Sequence, residues 1–231
     1  MSRPGDLFGS TSKPAVAPAA APERPEPRAS IPRLARPLAL PTDVDQGRVV
    51  CEWLDVWRAR SDRLYLEWRT VDATDADPIC AFVGINPSAA GDDASDATCG
   101  NAWAIARRAG WKRWAMLNLF SAPATEPPDL LGYPGRPGYA HEVAHRLREV
   151  VAGGGRAVAA WGALSGGIEK GSPYTGRSGE LRTLLQGRRD ELLAEMGRDF
   201  PWFCIGANQD GSPLHPSRVS RALEIIEWRR G

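Results

Sequence analysis

The sequence has few of the residues that announce a cofactor. Its four cysteines, Cys51, Cys80, Cys99 and Cys204, are widely separated, with no C-x-x-C pair, and Cys80 and Cys204 lie inside apolar runs. That pattern excludes a disulfide framework and a zinc site and points to reduced thiols; by count alone an iron–sulfur cluster stays an alternative. Only three histidines are present. His141 and His145, at i and i+4, have the spacing of a helical metal pair, but no third ligand follows and a solvated helix face is the simpler reading. No cofactor and no metal are expected. The segment "GINPSAAG" lacks the G-K-[ST] ending of a phosphate-binding loop, "GALSGGIEKGS" lacks its spacing, and neither G-x-G-x-x-G nor G-x-S-x-G appears where it would matter. No apolar run approaches the ~18 residues of a membrane span, and residues 1–10 lack the basic start and apolar core of a secretory signal. With 29 Lys+Arg against 28 Asp+Glu, no global field announces a polyanion. A soluble, cytoplasmic monomer with no membrane partner is the expectation.

What is present divides in two. Residues 1–45 hold nine of the twenty prolines and too little apolar surface to offset ordering entropy, which predicts a disordered Pro/Ala-rich arm. Residues 46–231 read as one α/β domain. Within it, 64–71 alternates like a strand, and 49–63 is helix or strand. Four near-continuous apolar runs, 79–83, 114–117, 157–161 and 202–205, fit strands buried on both faces. Amphipathic stretches at 95–108, 139–151, 180–196 and 217–228 predict helices between and after them. The series predicts a three-layer α-β-α fold with a central four-stranded, mostly parallel sheet.

Ligands of such sheets bind beyond the carboxyl ends of the strands. There the sequence places Gly84-Ile85-Asn86-Pro87-Ser88, Asn118 to Ser121, Gly162-Ala163, and Leu214-His215-Pro216-Ser217. His215 is a rigid imidazole between two prolines, and Ser217 is placed at the N-cap of the expected last helix, where an anion can be held. Asn118 ends a buried strand, where an amide needs partners, and an amide also offers the donor and acceptor that read a nucleobase edge. Asp92, Asp93 and Asp96 form an acidic loop, read either as the cap of the next helix or as a carboxylate that activates water or meets a substrate hydroxyl. Arg107, Arg108, Lys112, Arg113, Arg218 and Arg221 offer a local basic patch, although charged helix faces are usually only solvated.

The ordered strand ends Gly84-Ile85-Asn86-Pro87, Met116-Leu117-Asn118, Ala160-Trp161-Gly162 and His215-Pro216-Ser217 resemble the uracil-DNA glycosylase superfamily, in particular its mismatch-specific and thymine-specific branch. The stretch from "FVGINPSAAGDDASDATCG" through "NLFSAPATEPPDLL", with "AVAAWG" and "PLHPS", more closely resembles a bacterial family known as a domain of unknown function, over about residues 63–217. Antiphage glycosylases acting on hypermodified pyrimidines are similar as well. The resemblance implies a uracil-DNA glycosylase-like fold, base flipping from double-stranded DNA and a role in antiviral defence or repair. On it, Asn86 orients the attacking water, with Asp93 as a further catalytic carboxylate, and His215 stabilises the departing base. Asn118 and Phe120 read and stack the base, with Ser88 and Asp92 beside them. Pro87, Ser217, Arg218 and Arg221 contact DNA. Ser88, Ala89 and Ala90 replace the aromatic that excludes a 5-methyl group in the uracil-specific branch. This favours a bulky 5-substituted pyrimidine such as glucosylated hydroxymethylcytosine. A non-catalytic nucleic-acid or nucleotide-binding module, or a nucleoside hydrolase, remains the alternative.

Overall fold

The apolar runs become strands whose side chains alternate between two cores. Cys80, Phe82, Trp114, Met116 and Val158 face one layer; Ala81, Val83, Ala115, Leu117 and Ala157 face the other. A computed structural model of the chain describes residues 38–229, apart from 58–59, 89, 92, 125 and 134. Most of the Pro-rich arm and Asp92 therefore lie outside the described residues. The elements are β1 (Val50–Trp57), β2 (Arg60–Arg69), β3 (Ile79–Gly84), α1 (Ala97–Arg108), β4 (Arg113–Asn118), α2 (Tyr139–Ala152), β5 (Arg156–Ala159), α3 (Ser178–Met196), β6 (Trp202–Cys204) and β7 (Ile226–Glu227). The sheet order is β1-β2-β4-β3-β5-β6-β7.

The four expected strands form the parallel centre, β4-β3-β5-β6. The sheet is nonetheless seven-stranded and mixed, not four-stranded. The β1–β2 hairpin adds antiparallel strands beside β4, and β7 adds one beside β6. Both edges of the parallel core are thereby paired, which removes exposed strand-pairing groups. Helix α1 lies on one face, with Trp68, Trp103 and Trp114 in its core; α2 and α3 lie on the other.

Helix starts and stops follow local chemistry. The Asp96 carboxylate caps α1 by accepting the Cys99 N–H at 2.8 Å, and Arg107 and Arg108 stand in its last turn. Helix α2 stops at Gly153 and α3 at Gly197. The expected helix at 217–228 does not form. Residues 216–218 make a single 3-10 turn, and Ile226 pairs with Cys204 instead. The Trp228 N–H reaches the Trp202 carbonyl at 2.9 Å. The Trp228 indole packs edge-on to Trp161 with ring centres 5.5 Å apart, and its Nε1 donates to the Gly211 carbonyl at 3.1 Å. An unpaired strand edge and an aromatic cluster outweigh a weak helical propensity. The folded unit also takes in residues assigned by composition to the arm: Leu40 and Val44 are buried, and Leu38 and Ser95 exchange two backbone hydrogen bonds of 2.8 Å.

At the amino end of the parallel strands, Glu67 joins three side chains. It accepts from Tyr65 Oη (2.7 Å), Arg69 Nε (2.6 Å) and Arg113 Nε (2.8 Å) and is only 3 % exposed. Removing it leaves the Arg113 guanidinium, itself 9 % exposed, without its carboxylate. Glu67→Ala is expected to lower stability by about 3–5 kcal/mol in urea unfolding, and Glu67→Gln by less, because an acceptor remains. Equal losses for the two variants would contradict the bridging role.

Candidate functional site

Beyond the carboxyl ends of β3, β4 and β5 lies a cavity of about 640 Å³, lined by residues from all four predicted strand ends. Strand β3 connects through α1 to β4 on one side, and the chain then crosses back to β5 on the other. The cavity thus occupies the position where a doubly wound sheet opens a crevice, and its volume suits a small-molecule site.

Asn86 lines this cavity. Its Nδ2 donates to the Pro87 carbonyl at 2.7 Å and the Ala124 carbonyl at 2.5 Å. With both amide hydrogens committed, Asn86 offers the cavity an acceptor, Oδ1. Asn118 is 2 % exposed. In the orientation that satisfies its amide, Nδ2 donates to the carbonyls of Asn86 (3.3 Å) and Leu117 (3.2 Å), and Oδ1 is again what remains. The two strand ends meet closely: a Cβ on Gly84 would stand 2.9 Å from the Asn118 amide, so the first position of the G-I-N-P stretch has no room for a side chain.

His215 comes from the other side. It packs on Gly162, where φ is +73° and an added Cβ would meet the His215 Cβ at 3.1 Å. Glycine after Trp161 is therefore required twice, by backbone conformation and by the approach of the imidazole. Backbone N–H of Ser217 donates to His215 Nδ1 at 3.3 Å, and Ser217 Oγ lies 2.9 Å from the same atom. A backbone N–H can only donate, so Nδ1 is the acceptor and the neutral ring carries its proton on Nε2. Burial holds the imidazole down to about 4, with the Asp96 charge opposing. The loop is tied to α1, since Asn101 Nδ2 donates to the Pro216 carbonyl at 2.9 Å.

Ser88 and Ser217 also line the cavity. Pro87 does not; it is buried, and its carbonyl takes the Ala124 N–H at 2.9 Å, which fixes the turn. Ser217 caps no helix, since His215 itself is the N-cap of the short turn. Phe120 is corrected as a stacking residue: it is 1 % exposed, outside the cavity, packed on Tyr133 with 6.4 Å between ring centres. Asp93 is exposed and does not line the cavity; the carboxylate on its wall is Asp96. Ala90 is buried with its carbonyl turned to Arg63, while Asp92 and Ala89 lie outside the described residues. Arg221 is exposed and donates to Asn101 Oδ1 at 2.9 Å; the Arg218 side chain lies outside the described residues. The basic patch is largely engaged elsewhere. Arg107 pairs with Asp43 (3.0 Å), Lys112 with Asp72 (3.0 Å) and Arg113 with Glu67 (2.8 Å). His141 and His145 are exposed, each facing a glutamate, Glu195 at 3.2 Å and Glu149 at 3.3 Å.

Residues 63–217 match a family model described as a protein of unknown function, DUF1643. The chain belongs to this family. The match begins at Arg63 and ends at Ser217, both of which line the cavity, so the DUF1643 segment runs from one cavity wall to the other. No curated protein and no solved structure matches the chain.

Sequence reasoning missed Arg63, Asp96 as a wall residue, and Asn101. Arg63 stands in a strand with four other charged residues, Arg60, Asp62, Glu67 and Arg69, so its charge alone did not single it out. A β-bulge hid its direction: Glu52 pairs with Tyr65 and Trp53 with Arg63, so Leu64 is extra. Leu64 and Tyr65 consequently share one core, and Arg63 is turned to the cavity side instead of following Tyr65.

The folded protein favours neutral His215, whereas the unfolded chain protonates near 6.5. Stability from the neutral ring is full above about pH 6.5 and is lost as pH falls toward 4. His215→Gln is expected to flatten the Tm profile between those values relative to wild type; parallel profiles would contradict the burial of a neutral ring.

Proposed function

We propose that this cavity hydrolyses the N-glycosidic bond of a modified pyrimidine nucleotide, leaving an abasic sugar. The favoured substrate is a hypermodified cytosine flipped from double-stranded phage DNA. The observation that carries the reading is the meeting, in one cavity, of Asn86, Asn118 and His215 from three separate strand ends. The ordered motifs that bring them there are those resembling the uracil-DNA glycosylase superfamily, and a sheet with a parallel centre agrees with that class of fold.

The roles follow from hydrogen-bonding capacity. Asn86 Oδ1 accepts from a water and orients its oxygen toward C1′ of the sugar. As the C1′–N1 bond breaks, its electron pair moves onto the base. His215, with its proton on Nε2, donates to the charge that develops on a base carbonyl. Asn118 Oδ1 accepts from an N–H on the base edge. The water oxygen bonds to C1′ and retains one hydrogen, and the other ends on the released base.

A second reading is favoured by one observation. Because Arg107, Lys112 and Arg113 are already paired, a continuous basic surface for duplex DNA is lacking among these residues, which suits a free nucleoside or nucleotide substrate. Salt separates the two readings. Cleavage of DNA falls steeply between low and moderate salt through counterion release, and hydrolysis of a nucleoside does not.

Incubation with phage DNAs bearing hydroxymethylated or glucosylated cytosine, followed by alkaline strand cleavage and base analysis, is expected to yield free modified base. Asn86→Ala and His215→Ala are each expected to lower the single-turnover rate by about 10²-fold or more. Undiminished release by the double variant would overturn the site assignment.

A further inference from the structure

Arg63 is the feature of this cavity that the roles above leave unused. The residue is 1 % exposed and lines the cavity. One of its terminal nitrogens donates to the Ala90 carbonyl, and its Nε is buried with no hydrogen-bond partner. No carboxylate among the described residues forms an ion pair with it. Asp96, on the same wall, commits Oδ1 to the Cys99 N–H (2.8 Å) and Oδ2 to the Ala90 N–H (3.4 Å). The Cys99 thiol, within reach of both charges, is held well above its ordinary range by burial first and by Asp96, and ionises too reluctantly to serve as the counter-anion.

A guanidinium cannot shed its proton to escape such a place, and a buried charge with no carboxylate bonded to it is costly for a fold to carry. A bulge in β2 is what turns it inward. Among the described residues lining the cavity, Arg63 carries the one permanent positive charge. The first turn of α1, at Ala97, Thr98 and Cys99, lines the same cavity, with its N-terminus already capped by the Asp96 carboxylate.

We infer that Arg63 makes the inner end of the cavity a receptor for a delocalised anion, and that the anion is the pyrimidine base as it leaves the sugar. This rests on the glycosidic reading. When the C1′–N1 bond breaks, the electron pair spreads over the ring nitrogens and carbonyl oxygens. A neutral His215 supplies a hydrogen bond to that charge but no opposite charge, and Arg63 supplies it. The planar fork of the guanidinium matches two acceptors on the edge of a flat anion. The base is protonated after departure, so Arg63 holds charge and transfers no proton.

The test compares two pyrimidine bases that differ by a nitro group at C5, on the full-length protein by titration calorimetry at pH 7.5. These are 5-nitrouracil, which ionises below neutral pH, and uracil, which does not. Wild type is expected to bind the nitro anion about tenfold or more tightly than uracil, the scale of a charged hydrogen bond in a desolvated site. Arg63→Met is expected to lose the preference and Arg63→Lys to keep part of it. No preference in wild type, or an undiminished one in Arg63→Met, overturns the inference. If Arg63→Met does not fold, Arg63→Gln takes its place, and an undiminished preference in it overturns the inference. Failure of the two readings is distinguishable. An Arg63-dependent preference without base release from any DNA keeps the receptor and removes the glycosidic reading. Base release with no anion preference keeps that reading and removes the receptor.

Discussion

The loops that follow β3 and β4 are zipped together by main-chain hydrogen bonds, and the rest of the site depends on that zipper. Beyond the last paired strand residues, Leu119 N–H reaches the Gly84 carbonyl (3.0 Å), Phe120 N–H the Ile85 carbonyl (2.9 Å) and Ala124 N–H the Pro87 carbonyl (2.9 Å). Asn86 joins from its side chain through Ala124. Two segments that would otherwise be mobile loops are thereby held as extensions of the sheet. The requirement that buried backbone groups find partners sets the distance between Asn86 and Asn118, and the bare Cα of Gly84 allows that distance to be short.

The same constraint determines what the two asparagines can offer. Each amide nitrogen is committed to main-chain carbonyls, so each side chain is fixed in direction and presents an acceptor. Donors come from His215, oriented by Ser217 and backed by Gly162, and from Arg63. A cavity whose acceptors and donors are fixed in place is polarised before any ligand enters, which lowers the reorganisation needed when a ligand binds.

Much of this was legible in the chain. Short apolar runs announced the parallel centre, because strands buried on both faces need no alternation, and the residues after each run were the ones gathered at the cavity. Phe120 and Asp93 were placed wrongly for a common reason. Proximity in sequence to a strand end does not say which way a side chain turns; Phe120 turns into the core behind the sheet and Asp93 out to solvent. The segment 217–228 carried a helical pattern but stood beside an unpaired edge of β6 and two buried tryptophans, and those neighbours were not visible from within it.

The sequence by itself determined the four central strands and the three helices between them, the turns closed by Pro87 and Gly162, and the polar residues at the four strand ends, because each follows from local periodicity and backbone chemistry. Tertiary structure alone decided the partners. It added β1, β2 and β7 to cover the edges of the parallel core, and it placed His215 on Gly162. Through one extra residue at Leu64, it turned Arg63 from the face of Tyr65 toward the cavity. A bulge depends on which residues of the neighbouring strand are paired, so the direction of Arg63 became fixed only when β1 and β2 met.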